Sequence, residues 1–375
     1  MIVTSCTRMN TFMRFSKSLL FTALLIPVIS FSQVRKQYMS KYSSVGFGGG
    51  SAHYFGDLAQ YSKPFRSITT LPRWSGTIQY TRYINPRLMA RASFSWIRLV
   101  GDDYTYSTRK GVVSPGFENN FNRNLHFRND VKEFTGTALY NLIPQYNRSS
   151  SQRDYFMPYA LIGFGFYAHD PQARVRFREY NADAGDPTKP LPTWVSLKNL
   201  NTGGQGQTPS APVTYSAIQV VMPVGLGVRW RLGDNIDLTL EGAFRFTPFD
   251  YLDDVGSGYA NPLDLASLGT PLIPVSGGFL PNNPNPSTIA NISQVLSNRT
   301  LEVIAARLGK DRSPAYGSTS NGYFFDPSTR KAGYKADGTL IATASRFSPR
   351  WDSYATVQVA LHFLLNSGVK CPPVN

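Results

Sequence analysis

Cysteine is nearly absent from this chain of 375 residues. There are two, Cys6 and Cys371. Charged residues are scarce as well, at 16%. Beyond the first thirty or so positions no run approaches the roughly 18 consecutive apolar residues of a membrane-spanning helix. With Cys6 in a leader, the remaining cysteine can close no internal disulfide, which excludes a disulfide scaffold. The missing apolar runs exclude a helical membrane protein. What is abundant is glycine (31), proline (26), tyrosine (21) and phenylalanine (24), a balance that suits β-structure with many turns.

Arg14 and Lys17 precede the apolar stretch Leu19 to Ile29, and small residues follow at Ser30 and Ser32. That is the layout of a secretory signal peptide, too short to span a bilayer as a helix. Cleavage is expected before Gln33, giving a signal over 1–32. The signal holds three basic and no acidic side chains, so the formal charge of +15 falls only to +12. For an exported chain this basic surplus points to anionic lipid headgroups, surface polysaccharide or an acidic protein, and away from nucleic acid.

Segments of about ten residues alternate between apolar and small or polar side chains, the signature of a transmembrane barrel strand. Strand 1 covers Ser44 to Phe55, with its facing ambiguous, and strand 2 covers Arg73 to Tyr83. In strand 3 Ala90, Ala92, Phe94 and Trp96 oppose Arg91, Ser93 and Ser95. Strands 4 to 8 follow around Phe134, Phe164, Val224, Leu240 and Val359. The connections alternate in length, as outer-membrane barrels join short turns on one side to long loops on the other. The expected fold is therefore an all-β, antiparallel, up-and-down transmembrane β-barrel of about eight strands. Residues 33–43 form a periplasmic segment, 44–365 the barrel and 366–375 a periplasmic tail. Long extracellular loops cover about 170–212 and 250–349. In the second, Ile289, Ile292, Val295 and Leu296, then Leu301, Ile304 and Leu308, recur at helical spacing, with Ser287 as cap and Gly309 as stop.

Parity places Arg91, Glu133, Arg229, Glu241 and Arg245 inside the barrel. Charges in a narrow lumen need partners, so mixed signs predict a plug rather than a pore. Trp74, Tyr80, Trp96, Tyr140 and Trp230 are candidates for an aromatic girdle. Arg35, Lys36, Lys41, Arg148 and Arg153 are candidate contacts for an acidic periplasmic partner. Tyr251-Leu252-Asp253-Asp254 and Gly101-Asp102-Asp103 superficially match carboxylate pairs that hold Mg²⁺ in polymerases. In an exported barrel they read as hydrated rim carboxylates, with calcium at Asp102, Asp103, Asp250, Asp253 and Asp254 as the alternative. His53 and His362 fall on strands that become neighbours on closure, where a metal pair is conceivable; hydrogen bonding is the better reading. No nucleophile lies at a recognisable spacing from a His and an acid, so neither enzyme, cofactor nor metal is expected.

Several segments resemble a family of outer-membrane barrels from Gram-negative bacteria with type IX secretion, the family that contains PorG. They are Gly48-Gly49-Gly50, Tyr54-Phe55-Gly56-Asp57-Leu58, Asn85-Pro86-Arg87, Gly101-Asp102-Asp103, Asn124 to Asp130, Gly203-Gly204-Gln205-Gly206 and Asp250 to Val255, in that order. The resemblance implies a structural anchor in the outer membrane, bound to lipid and to periplasmic lipoprotein or ring subunits. The long last loop and the tail past the final strand depart from the family pattern. The alternative is a surface adhesin or glycan binder acting through the long loops.

Overall fold

A computed structural model describes residues 42–145, 153–174, 194–203, 205, 214–256, 265, 272–274, 289–299, 305–312, 333–334, 340–341 and 351–365. Eight long strands run antiparallel to their sequence neighbours: β1 Ser43–Phe55, β2 Arg73–Tyr83, β3 Leu88–Asp102, β4 His126–Asn141, β5 Phe156–Ala168, β6 Ile218–Arg231, β7 Ile236–Phe246 and β8 Ser353–Leu365. β8 pairs back with β1, from Ser43 opposite Leu365 to Phe55 opposite Ser353, and closes the barrel. The approach is tight: a Cβ on Gly50 would stand 1.9 Å from the Val357 carbonyl oxygen.

Burial follows the period of two, inside out relative to a soluble protein. Leu226 (66% exposed), Ile162 (63%) and Phe134 (59%) point outward, while Glu133 beside Phe134 is 1% exposed. The polar residues Ser75, Thr77, Gln79, Ser93, Ser95, Thr135, Thr137, Thr239, Thr356 and Gln358 all line the interior. Only lipid accounts energetically for an apolar belt turned outward around a polar inside: in water each such side chain would forgo about 1.5–3 kcal/mol of burial. β1 resolves as well, with Ser44 and Gly46 inward and Phe47 outward.

One end of the barrel carries the tight turns at 84–87 and 232–235, the other the long connections after β1, β3, β5 and β7. The long-loop end holds short helices: α1 Pro64–Thr70, α2 Asp103–Ser107, α3 Glu118–Arg123 and α4 Ile292–Ser297. α4 corrects the helix expected from Ile289. Ile289–Asn291 is a strand paired with Leu272–Pro274, so the helix begins at Ile292. Leu308 lies in a turn ending at Gly309 (φ +67°). Ser287, Leu301 and Ile304 lie outside the described residues.

The inward positions change character along the strands. Toward the long-loop end they become Ile97, Leu99, Phe127, Val131, Tyr167 and Val221, which join Leu58, Leu125, Leu252 and Val255 of the loops in an apolar core. A polar lumen thus sits beneath a hydrophobic cap.

Candidate functional site

The lumen charges come together in pairs. Arg91 reaches across to Glu241 with two hydrogen bonds, Nη1 to Oε2 at 2.7 Å and Nη2 to Oε1 at 3.1 Å. Tyr159 donates to Glu241 at 2.9 Å, and Arg91 also donates to Gln79 and Thr137. One layer away, Arg245 Nε donates to Glu133 Oε2 at 2.7 Å, and the Tyr354 hydroxyl donates to the same oxygen at 2.5 Å. Arg229 pairs in the ladder with Thr239 and Met157 and has no acid partner among the described residues. It packs over the Tyr159 ring (5.6 Å) and against the Met89 sulfur (3.0 Å). The space left among Thr77, Gln79, Arg91, Ser93, Glu241, Arg245 and Gln358 is about 10 Å³, at the limit for one water.

The short-turn end is closed by a second knot. Arg153 is buried, its Nη1 2.5 Å from Asp237 Oδ1 and its Nη2 donating to the carbonyls of Gly233 and Asp234. Its guanidinium stands 5.7 Å over the Tyr42 ring, and Tyr42 stacks on Tyr83. Arg153 was expected on the periplasmic surface; instead it is consumed inside the barrel, because Asp237 on the inner face of β7 needs a counter-charge. Arg35, Lys36, Lys41, Arg148 and Cys371 lie outside the described residues.

At the long-loop end the carboxylates are buried, not hydrated. Asp102, Asp103, Asp253 and Asp254 are each at most 1% exposed. Asp103 takes Arg123 on both oxygens at 2.8 Å, together with Asn120 and the Leu125 amide. Asp102 pairs with Arg307 of the last loop at 2.8 Å. Asp254, in a left-handed conformation (φ +68°), accepts from Tyr215 at 2.8 Å and from Thr202. For the calcium alternative, no three His, Cys, Asp or Glu side chains among the described residues are placed to share an ion. Asp253 and Asp254 of the polymerase-like tetrapeptide belong to different hydrogen-bond networks, Asp253 to the Tyr54 hydroxyl and Asp254 to that of Tyr215. His53 faces Ala355 and His362 faces Gly46, so the two rings sit seven positions apart along the β1–β8 ladder, about 24 Å, beyond a shared metal.

A cluster that the sequence reading did not assemble lies at the centre of the cap. The Tyr54 hydroxyl is 2.7 Å from Asp253 Oδ2 and 2.7 Å from Asp352 Oδ1. It has one hydrogen to give, so one of the two carboxyls must carry a proton and donate back. Asp352 Oδ2 accepts from the Leu252 amide, and Asp253 Oδ1 from that of Val255. Asp57, also buried, has neither oxygen hydrogen-bonded. Burial and the neighbouring Asp253 push its carboxyl up to about 9. Burial likewise raises Asp250 to about 8 and Asp253 to about 7, and lifts Asp352 above the carboxylate range. The Tyr54 hydroxyl thus ties Asp253, after β7, to Asp352, before β8. Tyr54 to Leu58 and Asp250 to Val255 stood in the family-like motifs that pointed here, whereas nothing in the sequence marked Asp352.

Among the girdle candidates, Trp74 and Trp96 form an edge-to-face pair (5.5 Å) on the outer face near the long-loop end. Tyr80 donates to Ser43. Tyr140, packed against Arg87, and the half-buried Trp230, beside Phe156, lie at the short-turn end.

No family model matches the chain, and no curated protein matches it. Among solved structures it is similar to Ail, the attachment invasion locus protein of Yersinia pestis, with 14% identity over 55% of this chain and 88% of Ail at a TM-score of 0.27, in a crystal holding the heparin analogue sucrose octasulfate. A second Ail structure gives 13% identity over 56% and 90%, at a TM-score of 0.27. Neisserial surface protein A gives 8% identity over 86% of this chain and 96% of that protein, at a TM-score of 0.30. At these TM-scores the likeness adds nothing to the barrel that the strand pairing shows.

Proposed function

We propose that the protein is a sealed, non-enzymatic barrel of the cell outer membrane that acts as a structural anchor of the type IX secretion apparatus, tying a periplasmic ring complex to the membrane as PorG does in the family it resembles. The observation that supports the sealed, non-enzymatic part is the lumen: two cross-barrel ion pairs, Arg91–Glu241 and Arg245–Glu133, span it, and the space beside them is about 10 Å³. A barrel so filled neither conducts nor presents a reaction chamber, which leaves its two ends and its lipid-facing wall as the working surfaces. The ordered motifs from Gly48 to Val255 support the secretion role. With Arg153 withdrawn inside, Arg82 and Arg87 are the exposed cations of the short-turn end among the described residues, and these join Arg35, Lys36, Lys41 and Arg148 as candidates for a periplasmic partner.

Affinity purification of the intact protein from detergent-solubilised outer membranes tests the reading. The expected result is co-purification of periplasmic lipoproteins, with loss of protein export in a deletion strain. Intact export in that strain, with host-glycan or cell binding lost after external proteolysis of the long loops, would replace the anchor with the adhesin.

A further inference from the structure

The lipid-facing wall is almost free of charge, and its few charges are not spread around it. On β1 and β5 to β8 the outward positions are apolar, aromatic or small, among them Phe47, Phe166, Met222, Phe244 and Val359. Charged outward side chains occur at Arg82, near the short-turn end of β2, and in one group at the long-loop end of β3 and β4. That group is set by register: Trp96 lies opposite Lys132, Arg98 opposite Asp130 and Val100 opposite Arg128.

The group sits at a boundary. From Ala90 to Trp96 on β3 and from Lys132 to Tyr140 on β4 the outward residues are exposed; beyond them Arg98, Asp130 and Arg128 are half-buried and Val100 is buried. The longer run, Lys132 to Tyr140 on β4, is nine residues, close to the roughly ten a tilted strand needs to cross the hydrocarbon. The cations therefore stand at headgroup height. Lys132 is exposed and makes no hydrogen bond or ion pair among the described residues. Arg98 spends Nε and Nη2 on Asp130 (2.6 and 2.7 Å), leaving Nη1 without a protein partner, and stands 5.3 Å over Trp74. Arg128 lies 4.2 Å over Trp194 and donates to Gln172, behind which sits Asp170. Three cations against Asp130 and Asp170 leave a surplus of one; Trp96 lies opposite Lys132 and Trp74 under Arg98, with Phe94 and Phe134 following toward the midplane, all four rings exposed.

We propose that this β3–β4 patch is a binding site for a phosphorylated lipid headgroup of the outer leaflet. Lys132 and Arg98 Nη1 hold the phosphate, Arg128 adds charge, and the acyl chains lie along the Trp74–Trp96 pair and Phe134. An ammonium and a guanidinium at the interface suit phosphate oxygens. Tryptophan rings suit the carbonyl and upper-chain region below them.

The test is native mass spectrometry of the full protein released from micelles, with a bisphosphorylated acylated glucosamine disaccharide as probe and the same lipid stripped of phosphate as control. Wild type is expected to retain the phosphorylated probe selectively. K132Q is expected to weaken retention about fivefold, and K132Q/R128Q about 25-fold, at roughly one surface cation's worth each. R82Q, at the other end, is expected to match wild type. Heat-dependent gel migration confirms that each barrel is folded. A probe with brominated acyl chains gives a second readout: it is expected to quench tryptophan fluorescence in wild type and much less in W74F/W96F. Equal retention of the stripped lipid, full competition by millimolar inorganic phosphate, undiminished binding by folded K132Q/R128Q, or quenching unchanged in W74F/W96F would each overturn the site.

Discussion

Arg91 and Glu241, 150 residues apart in the chain, meet across the lumen as a two-pronged ion pair with both side chains buried. Neither charge has water to return to. Removing one partner strands the other, which costs about 3–5 kcal/mol, whereas removing both is far milder. E241A is therefore expected to lower unfolding stability by that amount, measured by urea denaturation of the barrel refolded in lipid vesicles. The double variant R91M/E241M is expected to recover most of the loss. Equal instability of the single and double variants would show that the pair does not act as a unit.

The wall of this barrel was legible in the sequence because lipid and lumen impose opposite demands on alternate residues, so strands such as Arg73–Tyr83 could be read by parity. Parity also shows that Arg91, Glu133, Glu241 and Arg245 face inward, but not which one meets which. That depends on closure of the ring and on side chains that cross it. The mouth was less legible still. Tyr54 and Asp352 are 298 residues apart and become neighbours only because β8 pairs with β1. The carboxylates there looked like a hydrated rim because their donors, Arg123, Arg307 and Tyr215, come from other loops with no periodic pattern.

Gly56 occupies the tightest point of the cap. A Cβ there would lie 1.9 Å from Asp352 Oδ1 and 2.0 Å from the Tyr54 hydroxyl, two groups already held to each other. G56A is expected to cost about 1–3 kcal/mol, the usual penalty of overpacking, and to open the loops to added protease. Gly76 on the outer face of β2 is the matched control, since a Cβ there meets nothing within 4 Å. G76A is expected to leave both readouts within about 0.5 kcal/mol of wild type. Identical protease patterns for G56A and wild type would remove Gly56 from the account.

The cap should loosen as pH rises. Asp57, Asp250 and Asp253 have folded values near 9, 8 and 7 against 3.8 for a free aspartate, with burial as the main cause. Raised carboxyls mean that the native state binds more protons than the unfolded chain over this range. Their stabilising contribution is complete below 3.8 and is lost as pH climbs through the folded values. Each retained proton contributes a slope of up to about 1.4 kcal/mol per pH unit. Facing the cluster are the Tyr54 hydroxyl and the Arg123 guanidinium; the latter already serves Asp103. Loop cleavage by external protease is expected to increase between pH 6 and 9, and D57N to flatten the rise. A profile that is level across that range would dismiss the shared-proton cap.

Arg153 separates a structural from a partner-binding role at the short-turn end. Its guanidinium is buried against Asp237 and two turn carbonyls, so R153A leaves that aspartate without its counter-charge inside the barrel. The expected loss is about 3–5 kcal/mol of stability, with the turn at 232–235 exposed to protease. R82Q and R87Q remove exposed cations at the same end and are expected to leave stability within about 0.5 kcal/mol. If those two reduce co-purification of periplasmic subunits while the barrel stays as stable as wild type, the partner surface lies outside the Arg153–Asp237 knot. A fully stable R153A that loses only its partners would instead put Arg153 on that surface and contradict its burial.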